Sequence, residues 1–246
     1  MSTLENKTAL VTGGSRGIGA GIVRKLAKEG ADVAFTYVSG KEAAENLVKE
    51  IEALGRKAVA IQADSANAAS VIASVETTAA QFGKIDILVN NAGVGTFGPL
   101  DTYPLEDFDK TFDINVRSVF VAIQAAVKHM GTGGRIITIG STNATRMPFE
   151  GGGVYAASKA AVQGLTLGLS RDLGPLGITI NNVQPGPVNT DLNPEDGPFA
   201  DFLRTQMPVG RYAHVDEIGS FVAYLAGPDA GFITGASLNI DGGFKG

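Results

Sequence analysis

Short runs of β-branched residues alternate with longer stretches of helical period along this chain. Residues 7–12 (KTALVT) read as a buried strand. Residues 17–29 follow with Ile18, Ile22, Val23 and Leu26 on one helical face, closed by Gly30. The alternation continues. Strands are expected at 32–37, 57–62, 85–90, 135–139, 178–184 and 237–240, and helices at 41–54, 68–82, 105–129, 155–173 and 216–225. Parallel strands need a long crossover, and a helical stretch separates each expected strand from the next. The pattern excludes all-helical and all-β folds. It predicts one α/β domain over 1–246: a doubly wound sheet of about seven parallel strands, with helices on both faces and right-handed crossovers.

Composition narrows the chemistry. Apolar residues make up 44% and charged residues 18% of the chain, which excludes a disordered one. With no cysteine, disulfides, thiolate metal sites and a cysteine nucleophile are impossible. His129 and His214 are the only histidines, so no metal site is expected. A net charge of −5 without a basic tract argues against nucleic acid and anionic membrane as partners. No apolar run reaches the ~20 residues that cross a bilayer, and the opening residues lack a signal-peptide core. A soluble cytoplasmic protein is the expectation.

Two segments depart from plain alternation. After the first strand comes TGGSRGIG, residues 12–19. Glycines there let the chain turn sharply and bring backbone N–H groups, with the positive end of the following helix, onto a pyrophosphate. Gly13, Ser15, Arg16, Gly17, Ile18 and Gly19 are therefore candidate cofactor contacts. The second segment, 185–208, holds Pro185, Pro187, Pro194, Pro198 and Pro208, which breaks regular structure. A lid that closes over a ligand is expected there.

The glycine spacing T-G-x-x-x-G-x-G, followed in order by Asn90-Asn91-Ala92-Gly93, Tyr155-x-x-x-Lys159 and Pro185-Gly186, resembles the short-chain dehydrogenase/reductase family over essentially the whole chain. The resemblance implies a Rossmann-type oxidoreductase domain that binds a nicotinamide dinucleotide. It places Asp64, with Ser65 beside it, at the adenine, and Asn91, Ala92 and Gly93 under the adenosine ribose. Val188 and Thr190 fall at the nicotinamide carboxamide. An acid at the end of the second strand would repel a 2′-phosphate, but Thr36-Tyr37-Val38-Ser39 stands there, with Arg16 and Lys41 close by. NADP(H) is therefore expected.

Tyr155 and Lys159 lie one helical turn apart, so they share a face. An ammonium beside a phenol favours the phenolate and lowers its pKa, which would fit Tyr155 for proton transfer to a ketone. Ser141, ending the fifth strand, is expected to polarise the carbonyl, with Thr142 as the rival. Asn115 matches the family asparagine that holds a water joining Lys159 to solvent. Phe97, Asn143, Met147, Phe149, Leu192, Phe199 and Phe202 are expected around the substrate, and suit an uncharged ketone or its alcohol. The resemblance extends to 3-oxoacyl-carrier-protein reductases, but Leu176 stands where these often carry a basic residue, which weakens that alternative. Residues 139–148 and 183–194 also resemble family members described as cyclic di-GMP-binding biofilm-dispersal proteins. That leaves a nucleotide-binding regulator as the second alternative. Helices 105–129 and 155–173, with the small residues Ala156, Ala157, Ala160, Ala161 and Gly164, and the segment 232–246, match the surfaces that assemble a homotetramer.

Overall fold

The computed structural model describes residues 3–245. Seven parallel strands form one sheet: β1 (Thr8–Val11), β2 (Asp32–Tyr37), β3 (Ala58–Gln62), β4 (Ile87–Asn90), β5 (Arg135–Ile139), β6 (Thr179–Pro185) and β7 (Ser237–Ile240), ordered β3-β2-β1-β4-β5-β6-β7. The chain runs outward from β1 to β3, then returns to place β4 on the other flank of β1. Val11 thus sits between Phe35 and Val89. Strand order reverses at β1/β4, so the loops after those strands diverge and open a crevice at the carboxyl edge.

Helices cover both faces. α1 (Gly17–Lys28) and α8 (Val215–Ala226) pack Ile22, Leu26, Ile218 and Val222 onto one face, with α2 (Lys41–Ala53) beside them. α3 (Ala68–Phe82), α5 (Ser118–Ala126) and α6 (Gly153–Leu173) pack Val75, Ile123 and Val162 onto the other. Each such buried aliphatic side chain contributes about 1.5–3 kcal/mol relative to exposure. The α1–α8 crossing depends on small residues, because a Cβ on Gly21 would lie 2.8 Å from the Val215 carbonyl oxygen. At its start α8 is capped reciprocally. His214 Nδ1 accepts from the Asp216 N–H at 3.3 Å, and the His214 N–H donates to Glu217 at 2.8 Å.

Most elements fall within two residues of the sequence expectation, and two segments differ in kind. The helical stretch 105–129 is composite. α4 (Leu105–Phe112) passes into a π-helical turn, Asp113–Arg117, then into α5, and Val127–His129 closes it as a 3₁₀ turn. Helical pattern continues on both sides of the π turn, so the one-residue shift of phase within it does not show as a break in the stretch. The segment 185–208 is not irregular throughout: Pro185 is the last residue of β6, and α7 (Ala200–Thr205) forms within it. Leu203 and Met207 anchor that helix in a small cluster with Ala200, Tyr212 and Phe244. No helix among the described residues is long and apolar enough to cross a membrane.

Candidate active site

The crevice at the carboxyl edge is one continuous cavity of about 1080 Å³. One half is built from backbone. Thr12 follows β1, and its hydroxyl accepts from the N–H groups of Asn91 at 3.0 Å and Ala92 at 3.1 Å, joining the loops after β1 and β4. Asn91 Nδ2 donates to the carbonyls of Thr12 at 3.0 Å and Gly13 at 2.9 Å. Gly17 has φ of +53°, a conformation that glycine adopts without strain. At Gly19 a Cβ would lie 2.2 Å from the Gly13 oxygen, so no larger residue fits this packing. The first turn of α1 therefore presents its N–H groups to the cavity beside Ser15, Gly17 and Ile18, as an anion cradle requires.

Gly13, Ser15, Arg16, Gly17, Ile18, Gly19, Tyr37, Asp64, Ser65, Asn91, Ala92, Gly93, Pro185, Gly186 and Thr190 all line the cavity. Two of the expected cofactor contacts do not. Thr36 is buried behind the turn, its hydroxyl accepting from the Gly13 N–H at 2.9 Å and its carbonyl from Gly14 at 2.8 Å. It braces the cradle. Val188 is buried and bridged to Ala213, because its strand-like backbone turns the side chain inward. Lys41 lies outside the cavity and pairs with Glu45 on its own helix at 3.6 Å. Arg16 is exposed at the cavity wall and has no carboxylate partner among the described residues. Asp64 turns one oxygen to the Ala66 N–H at 2.9 Å, which shapes the loop after β3.

The reacting groups converge where the two halves meet. α6 carries Tyr155 and Lys159, and Lys159 Nζ lies 5.9 Å from the centre of the Tyr155 ring. It donates to the Ile139 carbonyl at 2.9 Å. Burial lowers the Lys159 ammonium to about 8. Burial raises the Tyr155 phenol above its ordinary value, and a hydrogen bond from Ser141 offsets part of that rise. Burial of the phenol outweighs that bond, so the net direction for Tyr155 is upward and not the lowering expected from Lys159. Ser141 Oγ accepts from the Asn143 N–H at 3.1 Å and faces the cavity. Its rival Thr142 also reaches the cavity, but its hydroxyl donates to the Pro185 carbonyl at 3.1 Å, so it is tied to β6.

The π turn places Asn115 in the interior. Its Oδ1 accepts from the Val94 N–H at 2.9 Å, and its Nδ2 donates to the Val94 carbonyl at 2.9 Å and to Ser158 Oγ at 3.0 Å. A Cβ on Gly93 would sit 3.4 Å from both Asn115 Oδ1 and Lys159 Nζ, so both groups lie close behind Gly93, but only Lys159 lines the cavity.

The other half is built from side chains on loops. Phe97 packs edge-on against Phe149 and tilted against Tyr155, with 5.5 Å between centroids in each pair. Asn143, Leu192, Phe199 and Phe202 complete the expected set, and Phe199 is 71% exposed. Met147 does not line the cavity. Its sulfur and methyl fill the space beside Gly152, where a Cβ would lie 2.4 Å from the methyl. Sequence reasoning missed Phe244, Leu203 and Glu150, which also line the cavity. Nothing local marks Phe244, because it reaches the cavity only through contacts across the fold.

A parallel sheet reversing at β1/β4, a glycine cradle at that point and a Tyr–Lys pair beside it define a dinucleotide-dependent oxidoreductase. A family model described as Enoyl-(Acyl carrier protein) reductase matches residues 13–245. The chain belongs to the short-chain dehydrogenase/reductase family. It is 47% identical over 244 residues to a cyclic-di-GMP-binding biofilm dispersal mediator protein of Escherichia coli, covering 99% of each chain. It is 38% identical to the hydroxynaphthalene reductase arp2 of Aspergillus fumigatus, covering 94% of this chain and 90% of that one. A short chain dehydrogenase from Burkholderia cenocepacia, solved in complex with NADP, superposes with a TM-score of 0.98 at 53% identity, covering 99% of this chain and 100% of that one.

Proposed function

We propose that this protein is an NADPH-dependent reductase of uncharged ketones, reversible toward the alcohols, with Tyr155 as the proton donor. The convergence of Ser141, Tyr155 and Lys159 on a cavity lined by phenylalanine rings, with Asn115 bracing Val94 and Ser158 behind them, carries the reading. Gly13 to Gly19 would cradle the pyrophosphate, Asn91 to Gly93 the adenosine ribose and Thr190 the carboxamide. Arg16 would take the 2′-phosphate, a charged pair that no acid at the end of β2 opposes. NADPH, when bound, supplies the hydride. Tyr155 gives its proton to the carbonyl oxygen, and Ser141 donates a hydrogen bond to the same oxygen. Lys159 stabilises the phenolate that remains. Asn115 holds Val94 and the α6 residue Ser158 in place, which sets the distance between the reacting groups. The ring-lined half of the cavity favours an aryl substituent on the ketone, and the relative named a hydroxynaphthalene reductase supports this choice.

Assembly as a homotetramer belongs to the same proposal. Leu105, Phe108 and Phe120 on the 105–129 stretch, Leu167 on α6 and Phe232 are exposed apolar residues on the expected surfaces. Gly164 and Gly168 on α6 have nothing within 4 Å of an added Cβ. Gly246, the end of the second expected surface, lies outside the described residues.

NADPH consumption across a panel of aryl and alkyl ketones tests the reading, with cyclic di-GMP binding measured in parallel. Aryl ketone turnover, with NADPH preferred over NADH, is expected. Cyclic di-GMP binding without turnover of any ketone would instead favour a regulator, as the name of the E. coli relative invites.

A further inference from the structure

We propose that Arg146 is a positioning residue that fixes the C-terminal segment as a wall of the substrate chamber, and that Phe244 thereby sets which ketones fit. This rests on the reading that the cavity holds a ketone beside Tyr155. Arg146 lies in the loop after β5, three residues before Phe149. Its guanidinium sits 5.0 Å from the centre of the Phe244 ring. One nitrogen donates to the Phe244 carbonyl, and another donates to Gln206 Oε1 at 2.9 Å. These contacts bridge 98 and 60 residues of sequence, so one side chain joins the loop after β5 to both the lid and the tail. A planar fork can hold two acceptors and a ring at once, which a point charge cannot do.

The tail is prepared for this role. Phe244 is 2% exposed, lines the cavity and packs with Ala200, Leu203 and Met207 of the lid. Asp241 accepts from the N–H groups of Gly243 and Lys245 at 3.0 Å each. The Val209 N–H donates to the Gly242 carbonyl at 3.2 Å. Pro208 abuts Gly243 so closely that a Cβ there would lie 2.8 Å from its ring. The second half of the lid is therefore latched to the tail, while its first half carries the exposed Leu192 and Phe199. Movement on ligand binding should be confined to 189–199.

The test compares Arg146→Ala, Arg146→Lys and Phe244→Leu with the parent. Kinetics use acetophenone and bulkier aryl ketones, and hydrogen exchange is followed in the cofactor-free proteins. For Arg146→Ala, KM for acetophenone should rise about tenfold, as the Phe244 wall loses its two charged hydrogen bonds and loosens, with kcat within about twofold. The preference should shift toward bulkier ketones. Exchange should quicken at 200–207 and 241–245 and stay unchanged at 13–19. Arg146→Lys should not restore the parent. Phe244→Leu, which keeps the latch and shrinks the wall, should shift the preference without quickening exchange. An active parent whose size preference survives Arg146→Ala overturns the proposal, as does faster exchange with unchanged kinetics. If the parent reduces no ketone, the functional reading fails instead, and exchange alone decides whether the latch exists.

Discussion

The two halves of the cavity are made of different material. The cofactor half is a net of backbone hydrogen bonds, closed by Thr12, Thr36 and Asn91 and packed until Gly19 has no room for a methyl group. The substrate half is a set of rings, most of them on loops and several partly exposed, and an arginine in the loop after β5 holds Phe244 among them. A dinucleotide offers the same phosphates and riboses to every enzyme that binds it, so a rigid cradle suits it. Rings on loops can be exchanged without disturbing the sheet.

Four measurements would break or sharpen this contrast. The largest effect is expected at the seam: Tyr155→Phe should lower kcat by ~10²–10⁴-fold, the usual worth of general acid catalysis, with NADPH affinity nearly unchanged. A variant within tenfold of the parent would mean that another group gives the proton. Gly19→Ala comes next. Overpacking costs ~1–3 kcal/mol, and here it falls on the cradle. NADPH affinity measured by titration calorimetry should drop by roughly tenfold or more, while a methyl added at the exposed Gly131, with nothing within 4 Å, leaves it unchanged. Affinity intact in the Gly19 variant would show that the cradle is not rigid.

The third measurement is a pH profile. Lys159 has its pKa lowered to about 8. Its positive charge is thus complete well below that pH and lost as pH rises through it. NADPH affinity should decline over that interval, and Lys159→Met should be weak and flat across it. A parent profile that stays level from pH 7 to 9 would mean that Lys159 contributes no charge to binding. The smallest effect is expected at the edge of the substrate half. Phe199→Ala removes an exposed ring, and surface changes usually stay within about 0.5 kcal/mol. KM for acetophenone should change by less than threefold, and a tenfold change would show that the ring seals the chamber.

The contrast also explains what could be read from the sequence. Glycine and threonine act on their own backbone and near neighbours, so TGGSRGIG disclosed the cradle, and the β-branched runs disclosed the sheet. Tyr155 and Lys159 share a helical face, so spacing alone paired them. Phe244, expected on the 232–246 assembly surface, is instead buried at the cavity, because its place depends on Arg146, almost a hundred residues away. Met147 was assigned to the cavity by position in a loop, but the side-chain direction there is set by the open space at Gly152. Family correspondence gives the segment at Thr36 and leaves open which way the side chain faces.

The π turn at Asp113–Arg117 carries a last consequence. One residue more than an α turn requires is threaded into a continuous helix, and each α-helical residue advances the phase by about 100°. Removing a single residue from this turn would leave the stretch helical, apolar and of nearly the same length. Everything on one side of the deletion would nevertheless be out of phase with the other by more than a quarter of a turn. Asn115 would aim away from Val94 and Ser158, or α5 would lift Ile123 off the sheet. The turn works as a vernier between two surfaces, one facing the chemistry and one facing the core. Relatives should therefore tolerate insertions in the neighbouring loops far better than a change of one residue in this helix.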